Sequence, residues 1–139
     1  VAKQSGLGYS VAVDDGAGTA RTISNDITDF SYSTPRGVQD TTGVDKSANE
    51  RLLLLADFSI SLNGVFNNVA NMSHDVFKTV PTGSVQRTVT LAITSPASVT
   101  STLANECVAS DYQVKRATGG ALTWTAPLSL ADGTTPTWS

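Results

Sequence analysis

Asn68–Ser84, NVANMSHDVFKTVPTGS, decides the fold class, because it is the one convincing helix pattern in a chain that otherwise alternates like β-sheet. Val69, Ser73, Val76, Phe77 and Val80 recur at the three- and four-residue spacing that lines side chains along one helical face. Asn71 or Ser73 supplies an N-cap, and Pro81 with Gly83 stops the segment. The spacing predicts a single helix at about residues 71–80 beside a sheet.

On either side the period is two. From Val85 to Thr94 the residues Val85, Arg87, Val89, Leu91 and Ile93 oppose Gln86, Thr88, Thr90, Ala92 and Thr94, which is a half-buried strand with a threonine face. From Ala121 to Leu130, Leu122, Trp124, Ala126, Leu128 and Leu130 oppose Thr123, Thr125 and Ser129, with Pro127 arguing for an edge position or a break. Phe58, Ile60 and Leu62 oppose Asp57, Ser59, Ser61 and Asn63 in a segment that reads back to Arg51 as one unusually long strand. Further strands are expected at Tyr9–Asp14, Ala20–Ser24, Ile27–Ser33 and Val108–Arg116. Turn chemistry stands at Asp14–Gly18, Ser24–Asp26, Asn63-Gly64, Thr118–Gly120 and Asp132-Gly133, so antiparallel hairpins should dominate. Thr34–Asn49, TPRGVQDTTGVDKSAN, has no apolar period and reads as a long loop, of the length that in a compact domain is functional or disordered.

A chain of 139 residues with 40% hydrophobic side chains suits one domain over residues 1–139 with a real core. The longest apolar run, Leu52–Leu55, is closed by Ala56 and Asp57, far short of the ~18 residues of a membrane span, so the chain is expected to be soluble. The opening VAKQSGLG lacks an apolar signal core, which points to synthesis in the cytoplasm. Twelve acidic against nine scattered basic side chains, a net charge of −3, is a poor profile for gripping nucleic acid and suits a surface that DNA slides past.

The inventory of chemistry is thin. Cys107 is the single cysteine and His74 the single histidine, so neither a disulfide within the chain nor a zinc set is available. Cys107 reads as a small buried hydrophobe and His74 as a structural or interface residue. Asp14-Asp15-Gly16 lacks the alternating carboxylates of a calcium loop, and the GLG and TGG runs lack a following lysine and a strand-to-helix setting. No nucleophile elbow is present. No catalytic, metal or cofactor residue is expected, and no cofactor.

Several segments, in order, carry a resemblance: the AKQSGLG arm, NDITDFSYSTP, the long polar loop, a strand ending LNGVFNN, MSHDVFKTVPTG, and DYQVKRATGGALTWTAPLSLADGTTPTW. With Val1 standing ahead of the arm, this order resembles the major tail tube proteins of long-tailed, non-contractile (siphovirus-type) bacteriophages over nearly the whole chain. The resemblance implies an antiparallel β-sandwich or partly closed barrel with one flanking helix. It implies six copies in a ring whose inner sheets form a shared β-barrel, with rings stacked head to tail into a conduit for double-stranded DNA, which passes without tight binding. The implied partners are further copies of the chain, a tape measure protein, and tail terminator and tail tip proteins, with no membrane insertion. The implied location is the virion tail, assembled in the host cytoplasm. Asp57, Ser59, Ser61, Gln86, Thr88, Thr90 and Thr94 become candidates for the lumen face, the outside of the tube being the alternative. The arm (residues 1–8) and the loop (residues 34–49) become inter-subunit candidates through Lys3, Leu7, Arg36, Val38, Asp40, Val44, Asp45 and Lys46.

A second reading, from another class, is an extracellular β-sandwich that binds carbohydrate or protein ligands, with Trp124, Trp138 and Tyr112 as stacking residues. Aromatics at 6% argue against a stacking platform, and Trp124 stands on an apolar stripe that suits a core.

Overall fold

The alternating segments pair into ladders in the computed structural model, which describes residues 5–94 and 100–139. In chain order the strands are β1 (Ser10–Asp14), β2 (Ala20–Thr22), β3 (Ile27–Ser33), β4 (Arg36–Asp40), β5 (Arg51–Ala56), β6 (Ser59–Val65), β7 (Arg87–Thr94), β8 (Thr100–Ala109), β9 (Gln113–Arg116) and β10 (Leu122–Leu130). One helix, α1 (Ser73–Phe77), lies between β6 and β7, and a 3-10 turn at Ser24–Asp26 precedes β3. The protein is mainly β, and among the described residues every ladder is antiparallel, as the turns between the strands predict. Eight strands form one sheet in the order β2-β1-β7-β8-β10-β6-β3, with β9 paired to β10; β4 and β5 form a separate ribbon.

Residues paired across a ladder share a face, so a single face can be followed through the whole sheet. Val11 pairs with Leu91, Leu91 with Leu103, Leu128 with Ala109 and Ile60, and Ile60 with Tyr32. These side chains belong to one buried core with Val13, Val89, Leu62, Trp124 and Ala126. Residues on one face of one sheet can meet only if the sheet curls over, and it does: β1, β7 and β8 look across the core at β10, β6 and β3. The two edges approach at a seam where the Tyr9 ring meets Phe30 edge-on at 4.9 Å and the Tyr9 and Tyr32 hydroxyls lie 3.1 Å apart. The result is the sandwich or partly closed barrel that the resemblance implies.

Several details depart from the sequence reading. The segment read as one strand from Arg51 is two, β5 and β6, broken where the Asp57 N–H donates to the Pro35 carbonyl and the Phe58 N–H to the Asp57 side chain. Val108–Arg116 likewise splits between β8 and β9. Asn63-Gly64, expected as a turn, lies inside β6, where glycine is needed because a Cβ would meet the Asp26 carbonyl and stand 2.8 Å from the Trp124 ring. Pro127 is neither at an edge nor at a break but inside β10. Its carbonyl accepts the Ser110 N–H, and since the N–H and C=O of a strand residue point the same way, the missing donor faces the gap where β10 changes partner from β8 to β9.

The helix is where the pattern put it but only five residues long. Val69 is exposed outside it, and Val80 follows in turns. Neither Asn71 nor Ser73 caps it. Asp26, buried and 47 positions away, accepts the Ser73 N–H at 3.0 Å and the Asn67 side chain at 2.9 Å. At the other end Arg87, 1% exposed, donates to the Val76 carbonyl at 2.6 Å, the Asp14 carbonyl at 2.9 Å and the Thr79 hydroxyl at 2.9 Å. A helix too short to hold itself is thus fixed by an acid at its positive end, supplied by the 3-10 turn before β3, and a cation at its negative end, supplied by β7.

Candidate functional site

The sheet has a second, outward face, and most of the polar residues singled out in the sequence stand on it. Thr88 pairs with Glu106 and Thr90 with Ala104; Val108, two positions beyond Glu106, pairs with Ser129; Ser129 pairs with Ser59, Ser59 with Ser33, and Ser61 with Ser31 and Pro127. Ser59, Ser61, Thr88 and Thr90 therefore lie on one continuous face although they come from β6 and β7, which β8 and β10 separate in the sheet. Side-chain bonds tie it together: the Thr88 hydroxyl donates to Glu106 at 2.8 Å, and the Ser33 and Ser59 hydroxyls lie 3.3 Å apart. Followed through the ladders, the charges on this face are Asp14, Asp29 and Glu106 against Lys115. The remaining lumen candidates fall elsewhere. Asp57 lies in the break between β5 and β6, Gln86 precedes β7, and the side chain of Thr94 lies outside the described residues.

Ser31, Ser33, Ser129 and Glu106 escaped the sequence reading. Glu106 sits on β8, whose TSTLANECVA places a buried Asn105 between Leu103 and Cys107 and so shows no apolar period. The serines were legible as strand residues, but their convergence depends on which strands pair.

Six of the eight inter-subunit candidates lie on the β4–β5 ribbon and its tip. Thr34–Asn49 is not an open loop: Arg36–Asp40 is β4, paired with β5, and the tip is fastened by the Thr41 N–H on the Glu50 carbonyl and the Glu50 N–H on the Thr42 hydroxyl, each at 2.9 Å. The pattern hid the strand because its partner is apolar at every position from Leu52 to Leu55, which matches neither period. Arg36 is spent within the ribbon, donating twice to the Leu54 carbonyl. Asp40 accepts the Thr42 N–H and hydroxyl, which hold its carboxyl below the usual carboxylate range. Val38 and Val44 are exposed, and Lys46 lies 3.8 Å from Asp45 and 3.9 Å from Glu50. Leu7 is exposed beside the seam, while Lys3 lies outside the described residues. The leucines of β5 are 41% to 89% exposed, an apolar surface the sequence reading did not single out.

The other singled-out residues have structural places. Cys107 is buried in the core, and burial pushes its thiol up to about 12. His74 Nδ1 lies 3.2 Å from the Tyr112 hydroxyl and its ring packs on Phe66. Asp15 closes its turn by accepting the Ala17 and Thr19 N–H groups and Arg21; the backbone donors, with Arg21, lower its pKa. Trp124 is 1% exposed and donates to the Val65 carbonyl, Tyr112 packs on it half-buried, and Trp138, 44% exposed, sits by Tyr32. The three aromatics of the second reading do not form one exposed platform. Among the described residues no group of three or more acidic, histidine or cysteine side chains converges to hold a metal, and no helix is long and apolar enough to cross a membrane.

The geometry is that of a curled antiparallel sheet with a latched helix, a hydroxyl-rich outer face and a two-stranded ribbon standing off the core. Two solved structures share this fold from end to end. One is a chain from the tail of an empty gene transfer agent particle, determined by helical refinement with C6 symmetry: 18% identity, 99% of this chain and 98% of that one, TM-score 0.71. The other is a chain from the virion of a native gene transfer agent particle: 14% identity, 99% of each chain, TM-score 0.74. No protein-family model and no curated protein matches the sequence.

Proposed function

We propose that this chain is a structural subunit of a phage-type tail tube, of the non-contractile kind, acting by assembly and without catalytic turnover. Six copies form a ring, their inner sheets join into a shared β-barrel, and rings stack head to tail into a conduit through which double-stranded DNA leaves the virion. The observation that carries this is the end-to-end likeness to a chain from a C6-symmetric tail. Two features of the molecule support it. Among the described residues the sheet ends in edge strands β2 and β3, and ring closure is a way to cover such edges. The outer face offers hydroxyls with Asp14, Asp29 and Glu106 against Lys115, a lining that holds DNA weakly. A tape measure protein and tail terminator and tip proteins are the further partners of this reading.

Purified chain at increasing concentration is expected to give rings and long tubes in negative-stain images. Deletion of Val38–Lys46 is expected to leave a folded monomer that no longer polymerises. Wild-type protein that stays monomeric at high concentration would sink the proposal.

A further inference from the structure

We propose that the β4–β5 ribbon is a wedge gripped on both faces by two further copies of this chain, an inference that rests on the self-assembly proposed above. Successive residues of a strand point to opposite faces and ladder partners share one. The register Val38↔Leu53 and Gln39↔Leu52 therefore puts Val38 and Leu53 on one face and Leu52 on the other. Leu54 joins Leu52, since a Cβ on Gly37, the neighbour of Val38, would stand 3.2 Å from the Leu54 Cβ. These four and Leu55, which falls at the register shift before Ala56, are exposed, between 41% and 89%. A ribbon that lies on a single surface needs one apolar and one polar face. This one has two apolar faces.

Size points to the same occupant. Strands of five and six residues make a ribbon about 20 Å long and about 10 Å wide, so each face covers roughly 200 Å². A stable interface needs about 800 Å² from each partner. One face falls well short, but a copy that inserts both faces and also receives a ribbon from its neighbours has roughly 800 Å² covered, spread over several contacts each too small to hold a lone pair, which suits a many-copy assembly and not a dimer. Only an assembly of identical chains gives each molecule both roles. Charge agrees: Arg36, Lys46 and Arg51 balance Asp40, Asp45 and Glu50, so nothing in the ribbon calls for nucleic acid or an anionic membrane. Each copy also carries a mixed cleft of about 460 Å³ at the seam, where Leu7, Tyr9, Ile27 and Phe30 stand beside Thr28 and Asp29.

The test uses Leu53→Cys and Leu54→Cys, one on each face, each co-assembled with excess wild-type chain and treated with a maleimide; Cys107, buried, is the silent background. Labelling at both positions is expected to be at least ten-fold slower in tubes than in dilute monomer. In a second experiment Val38→Ser/Leu53→Ser and Leu52→Ser/Leu54→Ser are each expected to abolish tubes while melting as the wild-type monomer does, since neither pair belongs to the core. Wild-type tubes in which one position still labels at the monomer rate, or tubes formed by either serine pair alone, overturn the wedge. A wild-type chain that forms no tubes overturns the assembly reading itself.

Discussion

Replacing Arg87 with Met should cost about 3 kcal/mol of monomer stability, because the guanidinium is the fastener of α1. It serves the Val76 and Asp14 carbonyls and the Thr79 hydroxyl, at 2.6, 2.9 and 2.9 Å, and is 1% exposed. Met refills the volume of the stem but donates nothing. Two buried carbonyls then lose their charged donor, at about 1–3 kcal/mol each, and recovery of part of the guanidinium's desolvation cost brings the net to about 3 kcal/mol. For a domain of this size that corresponds to a fall of about 10 °C in Tm. Arg87→Lys is the sharper variant: one ammonium cannot span three acceptors arranged for a fork, and it should recover less than half of the loss. The assay is urea or thermal unfolding of dilute monomer followed by circular dichroism. A loss for Arg87→Met below about 1 kcal/mol, or a lysine variant as stable as the wild type, would refute the claim that the fork holds the helix.

Gly64→Ala should destabilise more than its size suggests, since the new methyl would collide with the Asp26 carbonyl and stand 2.8 Å from the Trp124 ring; monomer melting measures it, and an unchanged midpoint would mean that β6 shifts freely. Cys107, buried with its thiol held near 12, should resist a thiol reagent at pH 8 in the folded chain and react at once in urea. Because that folded pKa lies above the unfolded one, the thiol's contribution to stability should be complete below about pH 8.5 and be lost progressively as pH rises towards 12, which a pH series of melts compared with Cys107→Ala reads out. Thr88→Lys/Thr90→Lys should leave tubes intact but make them retain double-stranded DNA in co-sedimentation, with retention falling steeply from about 50 to 200 mM salt; absence of retention would argue that this part of the face does not line the lumen.

What the sequence made legible was whatever depends on neighbours in the chain. Val89 and Leu91, and Trp124, Ala126 and Leu128, are buried as their alternation predicts, and α1 lies within the one stretch of helical period. What stayed hidden depends on partners far along the chain. Arg87 occupies an apolar position in its strand because its acceptors come from β1 and α1, and Asp26 caps a helix 47 positions away. β8, the longest strand, went unread because Asn105 interrupts its inward face and Glu106 its outward one. The hydroxyl face was found in pieces: Thr88 and Thr90 on one alternating run, Ser59 and Ser61 on another, with nothing in either run to say that the ladders through β8 and β10 join them.

The sheet order also sets a timetable for the nascent chain. β8 and β10 stand at the centre of the sheet, yet they follow β1, β2, β3 and β6 in the chain. When the ribosome has delivered β6, β1 has only β2 and β6 only β3, so Val11, Val13, Ile60 and Leu62 stand on two pairs that no ladder yet joins. Another 65 residues, from Phe66 to Leu130, must emerge before the strands that join them are complete, several seconds at the usual ~5–20 residues per second. The ribbon follows another schedule: β4 and β5 are close in sequence and complete early, with their leucines already outward. For those seconds the apolar surface proposed for assembly is displayed beside the apolar surface of the core, and a holdase that covers both until β10 arrives would raise the yield of folded chains.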